Sequence, residues 1–425
     1  MKKIINLIFN IDPFIFVYPE RKLGSLNKKN VLINIYFFTK SLNLKQNIKY
    51  VFYLFRLLFL DIAKLIYSPL ILLIYISKYR FLKLSSNQIG VLAHHLDAMI
   101  KSLLLENKKP IIIIPSYSEY DEIFTNLLKE KFLCVNNSLL SIFCLPLIYT
   151  DKISISPEFV ETFFNKNKII NKNFYNKILS DYEKKFQNSS ELFCFNKSRK
   201  EFLNKLTRSK FKNIDLKKTY ILHTRDEKFY NTSNLRTSKF ENYLDAIEFL
   251  LNQNFSVIRI VHTNQKSTFQ RKNYYEFDFK TCEDKDLQIY LIKESKGIIC
   301  NHGGLSSVGA LLGVPICQTN VIPFDHCHGN KETDLILHKK LKRNNIQLNF
   351  NEIFNSNLKY CTPSDFQKNY IEVIDNNKFE ILEVVKIFIT SLKDKETKIV
   401  QARNLFKDIG KGTSIKYANS YIYRN

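Results

Sequence analysis

The sequence predicts an α/β protein made of two parallel-sheet halves facing each other across a cleft, preceded by an apolar helical appendage. Three observations carry that prediction. Short apolar runs alternate with helical patterns in two stretches, one starting near Arg80 and one near Thr219; such alternation builds parallel sheets covered by helices. A lysine- and asparagine-rich stretch, Ile153 to Lys217, lies between them. At 425 residues the chain is long for one compact domain. These shifts place an appendage at residues 1–79, the two halves at 80–215 and 216–400, and a tail at 401–425.

The appendage contains the most apolar run, Val51 to Ile76, closed by Lys78 and Arg80. A spanning helix needs about twenty uninterrupted apolar residues. Arg56, Asp61 and Lys64 break this run, and Pro69 is expected to kink a helix through it. An interfacial helix or re-entrant hairpin, its basic flanks on anionic lipid, fits the pattern. Two buried helices packed on the body, or a true span, are the alternatives. Near the start, Asp12 and Pro13 interrupt the run Ile4–Phe9 and no small-residue cleavage site comes after it, so no secretory signal is expected.

In the first half, Phe81–Leu84 reads as a strand, Ser85–Gly90 as a polar loop and Val91–Glu106 as a helix. Pro110–Ile114 and Phe132–Val135 are strands on either side of the helix Tyr120–Lys131. In the second half the predicted strands are Thr219–His223, Ser256–Val261, Gly297–Cys300 and Pro315–Gln318. The predicted helices are Phe240–Asn252, Asp286–Ser295, Leu305–Leu312 and the late Phe379–Leu392. Ligands of such sheets bind at the carboxyl ends of the strands, where Ser85–Gly90 and Ser116–Glu119 fall in the first half.

The formal net charge of +24 points to anionic partners. Lysine, asparagine and isoleucine are heavily used throughout, however, and compositional bias supplies part of that charge. No basic-aromatic module for nucleic acid stands out, so no nucleic-acid partner is expected. The eight cysteines form no C-x-x-C pair, which argues against a disulfide framework or zinc ribbon and for a reducing cytoplasm. Asp325-His326-Cys327-His328 are consecutive residues with no distant ligand pair, so no metal is expected there. No P-loop, full dinucleotide fingerprint or nucleophile elbow is present.

The sharpest feature is Asn301-His302-Gly303-Gly304-Leu305-Ser306-Ser307, between a strand and a helix. Adjacent glycines admit close backbone approach, the helix start offers unpaired N–H groups, and Ser306 and Ser307 add hydroxyls, so a phosphate site is expected over His302 to Ser307. Leu222-His223-Thr224-Arg225-Asp226-Glu227 ends the first strand of this half. An arginine at that place can fork onto two phosphate oxygens. Arg236 precedes the next helix, and Arg259 sits inside SVIRIV, where a charge needs a buried anionic partner. Asp278 or Asp245 is the expected partner if Arg259 is purely structural.

These residues resemble a family of bacterial glycosyltransferases associated with surface-polysaccharide synthesis. The likeness runs from His223 to Pro323 through His223, Arg225, Arg236, Tyr243-Leu244-Asp245-Ala246-Ile247, Val257-Ile258-Arg259, Asp278-Phe279, Asp286–Leu291 and Gly304–Ser307. In the first half only Ile89-Gly90-Val91-Leu92-Ala93 matches. Two positions depart from the pattern: Val261-His262 stands where the family has glycine, and Val91 replaces a histidine. The resemblance implies two Rossmann-like domains in the GT-B arrangement. It further implies a nucleotide-sugar donor in the C-terminal half and a glycan or lipid-linked acceptor against the N-terminal half.

Donor-binding candidates are Arg225, Arg236, Arg259, Asp278, His302, Gly303, Gly304, Leu305, Ser306 and Ser307. Sugar transfer also needs stabilisation of the leaving phosphates, here without metal or other cofactor, and a base for the acceptor hydroxyl. His223, Asp226, His94 and Asp97 are the base candidates, with His95 beside them. The expected setting is the cytoplasmic face of the cell membrane, by peripheral attachment to anionic lipid. A nucleotide-sugar 2-epimerase of the same fold and a catalytically silent membrane-bound scaffold are the rival readings.

Overall fold

The computed structural model describes residues 62–83, 89–113, 119–148, 153–155, 178, 181–182, 185–186, 192–212, 214–225, 235–261, 266–322, 334–349, 352–353, 356, 358, 363–393 and 416–417. It is a mixed α/β structure. Helix α1 (Ser68–Ile76) leads into β1 (Tyr79–Lys83), α2 (Ile89–Leu105), β2 (Lys109–Ile113), α3 (Glu119–Leu128) and β3 (Leu133–Val135). Two short helices, α4 (Ser138–Phe143) and α5 (Leu145–Ile148), precede β4 (Ser154–Ile155). These strands form a parallel sheet in the order β3-β2-β1-β4. The sequence pattern shows no strand at Ser154–Ile155. A two-residue strand leaves no periodicity to detect.

Helix α6 (Lys197–Lys210) crosses to the second half. There β5 (Thr219–His223), α7 (Leu244–Asn252), β6 (Ser256–Val261), β7 (Tyr274–Asp278), α8 (Cys282–Glu294), β8 (Gly297–Asn301), α9 (Gly304–Leu311), β9 (Ile316–Val321) and β10 (Leu335–His338) succeed one another. They make a parallel sheet in the order β7-β6-β5-β8-β9-β10, with β14 (Lys416–Tyr417) at the far edge. Counted from β5, that is the doubly wound order 3-2-1-4-5-6, and its topological switch point lies between β5 and β8.

Several sequence expectations are corrected. β7 is not among the predicted strands, because YYEFD carries a charge at each alternate turn of the pleat and looks polar. Helix α8 begins at Cys282 rather than Asp286, nucleated by a capping box between Thr281 and Asp284. The helix expected at Phe240–Asn252 opens with a 3-10 turn, Phe240–Tyr243. Beyond β10 an antiparallel sheet of β11 (Lys340–Arg343), β12 (Ile346–Gln347) and β13 (Ile371–Ile374) has no counterpart among the expected elements, nor has α10 (Pro363–Lys368). It carries its own small core, which includes Leu341, Leu348, Phe366 and Ile371. Helix α11 (Lys378–Lys393) then packs across α7 with Ile381, Val385 and Phe388 buried.

The main apolar core does not stop at the boundary between halves. Leu82, Leu92, Leu96 and Ile112 belong to one cluster with Ile221, Ile298, Leu305 and Val308. The opposite face of the first sheet, through Phe81 and Ile113, packs on Tyr67, Ile71 and Ile74 of the α1 segment and on Leu147 and Ile148. The layers therefore run α1, sheet, α2, then the C-terminal half.

The helical run is interrupted where Pro69 is expected to disturb it: residues 62–66 are helical, Tyr67 is a turn, and α1 restarts at Ser68 with Pro69 in its first turn, where the missing N–H is tolerated. Arg80 is not an exposed basic flank. It is buried, and its guanidinium donates to the carbonyls of Ile74, Tyr75, Ser77 and Tyr79, capping the helix end. No residue of α1 is fully buried, but Tyr67, Ile71 and Ile74 of this segment pack on the first sheet. Among the described residues no helix is long and apolar enough to cross a membrane. Val51–Asp61, the first part of the apolar run, lies outside the described residues.

Candidate functional site

The switch point places the carboxyl ends of β5 and β8 side by side, with His223 paired to Cys300 in register. The residues just beyond each strand end are Thr224-Arg225 after β5 and His302-Gly303-Gly304 after β8, the place where doubly wound sheets in general bind ligands. The Arg225 guanidinium lies on Gly303. A Cβ added at Gly303 would stand 2.7 Å from Arg225 Cζ and 2.8 Å from its Nε and Nη2, so only glycine leaves room for the arginine. Gly303 itself is extended, at φ 176. Its need for glycine is steric rather than conformational.

Helix α9 starts at Gly304, and its N-terminus meets that of α2. A Cβ on Gly90 would come within 2.4 Å of Gly304 Cα. Two helix starts, each the positive end of its dipole, thus converge beside Arg225. An anion placed there is favoured by all three.

Asn301, the last residue of β8, opens the motif singled out in the sequence but is not among the donor-binding candidates. It is fully buried. Its Oδ1 accepts from the Arg225 N–H at 3.1 Å, and its Nδ2 faces the Arg225 carbonyl at 3.3 Å, the Arg236 carbonyl at 2.8 Å and Ser238 Oγ at 3.2 Å. Its place at a strand end beside the glycines was the available signal.

The remaining donor-site candidates differ in their surroundings. Arg236 is exposed, on the segment that Asn301 holds. His302 is buried between Asn301 and Gly303. Leu305 is buried in the main core. Ser306 is fully buried, and its hydroxyl donates to the Gly303 carbonyl at 2.6 Å while accepting from the Gly303 N–H at 3.3 Å. That hydroxyl serves the helix cap. Ser307 is buried one residue on.

Arg259 is buried in β6 with its Nη1 2.8 Å from Glu276 Oε1 and its guanidinium 3.6 Å from the centre of the Phe240 ring. The anion paired with Arg259 is therefore the half-buried Glu276, its partner across the sheet, whereas the sequence suggests Asp278 or Asp245. Asp278, at the end of β7, has Lys280 at 3.5 Å and Lys266 at 4.0 Å.

Among the base candidates, His223 is buried with Nδ1 3.3 Å from the Ile260 carbonyl. His94 and His95 sit on α2, their ring centroids 5.9 Å apart. Asp97 is buried and ion-paired to Lys101 at 2.7 Å. Burial raises its pKa, and Lys101 works against that rise. Asp226 lies outside the described residues, as do Asp325 to His328. Among the described residues no group of three or more His, Cys, Asp or Glu could hold a metal ion.

Burial lowers the His95 pKa to about 4 and that of His338 to about 3. Both rings are neutral in the fold, whereas the unfolded chain takes up protons as pH falls below 6.5. Stability is therefore expected to fall on acidification from pH 6.5 towards 4, by about 3 kcal/mol for His95. Urea unfolding at pH 7.5 and 4.5 measures this. His95→Gln should lose clearly less stability between the two pH values than the wild type; an equal loss in both would refute the assignment.

No family model matches the chain, and no curated protein matches it. Solved structures with some likeness include a glycosyltransferase family 9 protein from Veillonella parvula, at 10% identity and TM-score 0.44 over 74% of this chain and 98% of that one. ADP-heptose LPS heptosyltransferase II from E. coli is 12% identical, at TM-score 0.32 over 56% and 84%. UDP-GlcNAc 2-epimerase from Neisseria meningitidis is 14% identical, at TM-score 0.26 over 74% and 99%. These are proteins the chain is similar to at a level that says nothing about its activity, which has to be read from the residues.

Proposed function

We propose that this protein is a glycosyltransferase of the GT-B type, which moves a sugar from a nucleotide-sugar to a glycan or lipid-linked acceptor in surface-polysaccharide synthesis. The observation that carries the reading is the Arg225 guanidinium lying on Gly303 at the switch point, where the starts of α2 and α9 meet. In the reaction an acceptor oxygen attacks the anomeric carbon, the bond to the nucleoside diphosphate breaks, and the acceptor proton passes to a base. Arg225 and the helix starts stabilise the charge growing on the leaving phosphates. Arg236 adds a second cation at the rim, and His302, Gly304 and Ser307 line the same turn. The base role is assigned to the group His223, Asp226, His94 and Asp97.

The test uses purified protein with ADP, UDP, GDP and CDP, then their sugar derivatives. Stabilisation by one diphosphate and acceptor-dependent release of that diphosphate are expected. Isomerisation of a nucleotide-sugar without acceptor would identify an epimerase instead. No response to any of these nucleotides would leave a silent scaffold.

The same reading puts the N-terminal half against the inner face of the membrane. Ile66 is 73% exposed, Leu73 67% and Ile76 73%, on the side of the α1 segment away from Tyr67, Ile71 and Ile74. Leu140 and Phe143 of α4 are exposed as well. Apolar side chains rimmed by Lys64, Lys78 and Lys109, in a chain of net charge +24, suit an anionic bilayer surface. The layer order then keeps the nucleotide half on the aqueous side. Full-length protein should sediment with phosphatidylglycerol-containing vesicles. Ile66→Glu/Leu73→Glu should weaken this by at least about tenfold, as expected from losing two apolar insertions; unchanged sedimentation would remove this face from the assignment.

A further inference from the structure

Away from the switch point, a cavity of about 360 Å³ beneath the second sheet is lined by Lys200, Lys217, Lys293 and Glu294. Lys200 and Lys217 are both paired with Glu294, and Lys293 donates to the Leu312 carbonyl. These contacts account for its charge. The polar cluster at the carboxyl ends of β8, β9 and β10 carries more.

Arg225 and Arg236 lie close together in the fold, and their side chains are useful to a phosphate only if the main chain beneath them is fixed. Their main chains are clasped together where the Ser238 N–H donates to the Arg225 carbonyl at 2.7 Å. Asn301 reaches into that clasp with four contacts, two to Arg225 and one each to Arg236 and Ser238. The next carbonyl, that of Thr237, accepts from Lys339 Nζ at 2.8 Å. Lys339 is buried, comes directly after β10 and is anchored on Asp375 at 2.6 Å.

Behind these, the Tyr243 hydroxyl stands 2.6 Å from Thr319 Oγ1 and 3.3 Å from Ser238 Oγ. Asn320 and Asn376 exchange reciprocal bonds of main-chain N–H to side-chain oxygen, at 2.6 and 2.7 Å. A buried amide and a buried ammonium cost desolvation free energy unless their bonds are made. All of this polarity converges on residues 225 and 236–238.

We propose that Asn301 and Lys339 are positioning residues, which hold the Arg225 and Arg236 main chain as one fixed pedestal for the phosphates of a nucleoside diphosphate. The ligand rests on the function proposed above; the pedestal itself does not. Neither residue touches the ligand, so each acts through the arginines. The inserted antiparallel sheet enters the site by the same route. Lys339 directly precedes β11, and Asp375 comes directly after β13. A change in that insertion would be felt at the Thr237 carbonyl.

The experiment has two arms on the full chain. In the first, hydrogen exchange without ligand is compared between wild type and Asn301→Ala. Protection of the Arg225 and Ser238 amides should drop by at least about tenfold, with the amides of β5 and β6 unchanged. Equal protection in both proteins overturns the pedestal, whatever the ligand proves to be.

The second arm measures the affinity of the responding nucleoside diphosphate. Asn301→Ala and Lys339→Met should each weaken binding by about tenfold, the scale of one mispositioned charged hydrogen bond. Neither should weaken it further in an Arg225→Ala/Arg236→Ala background. A further loss in that background would show action by general unfolding and defeats the claim. Lys339→Met retains the volume and apolar stem of lysine, so it decides the matter if Asn301→Ala does not fold. If the wild type binds no nucleoside diphosphate, the proposed function falls, and the exchange arm alone still decides the pedestal.

Discussion

Arg225→Ala is expected to weaken nucleoside diphosphate binding by about 100-fold while leaving the unfolding midpoint without ligand nearly unchanged. The size comes from the chemistry. Two charge-assisted hydrogen bonds from one guanidinium fork, placed beside two helix starts, are together worth about 3 kcal/mol. The small effect on stability comes from the geometry. The main chain of Arg225 is held by Asn301 and Ser238, so truncating the side chain leaves its support intact. Arg225→Lys should recover only part of the affinity, because an ammonium keeps the charge without the planar fork.

Gly303→Ala should resemble Arg225→Ala. The new methyl would stand 2.7 Å from Arg225 Cζ, and the flexible arginine would move off the site before the helix does. Isothermal titration with the responding diphosphate reads all three variants. Wild-type affinity in both Arg225→Ala and Gly303→Ala would place the phosphates elsewhere.

The second large effect is structural. Gly90→Ala is expected to destabilise the protein by at least about 3 kcal/mol, at or beyond the upper end for overpacked interiors. The added Cβ would sit 2.4 Å from Gly304 Cα, and main chain cannot rotate away as a side chain does. Either α2 or α9 must shift, and both are built into the shared core through Leu92, Leu96, Leu305 and Val308. Gly304→Ala is milder, because its nearest neighbours would be 3.2 Å away, and about 1 kcal/mol is expected. Chemical denaturation orders the two. A Gly90→Ala variant as stable as wild type would mean that the halves do not meet at these glycines in solution.

Much of the C-terminal half was legible because its signals are local. Thr219–His223 and Ser256–Val261 are strands with the limits their apolar runs suggest. The glycine pair falls between strand and helix, as its neighbours imply. The N-terminal half was legible as alternation only. Its one specific feature, Gly90, looked like the end of a polar loop, whereas in the fold it is the second residue of α2, pressed against Gly304.

The elements absent from the sequence pattern have separate causes. β7 breaks the apolar alternation because Glu276 serves Arg259 from within the strand, and β4 and β12 span only two residues each. The antiparallel insertion is stabilised by a small core of its own, assembled from positions far apart in the chain.

By itself, then, the sequence determined where the regular strands and helices of the alternating stretches lie and where the Gly303-Gly304 turn falls, since side-chain periodicity and backbone freedom act over a few residues. It also determined that an arginine inside SVIRIV must find an anion, because a lone buried charge is too costly to keep. Only the tertiary structure decided which anion that is. It likewise decided that β5 and β8 are neighbours, that Arg225 lies on Gly303, and that Asn301 ties residues 225, 236 and 238 together. Those pairings join residues some 60 to 80 positions apart. Strand order creates them, and strand order is settled by how the helices and sheets pack as a whole.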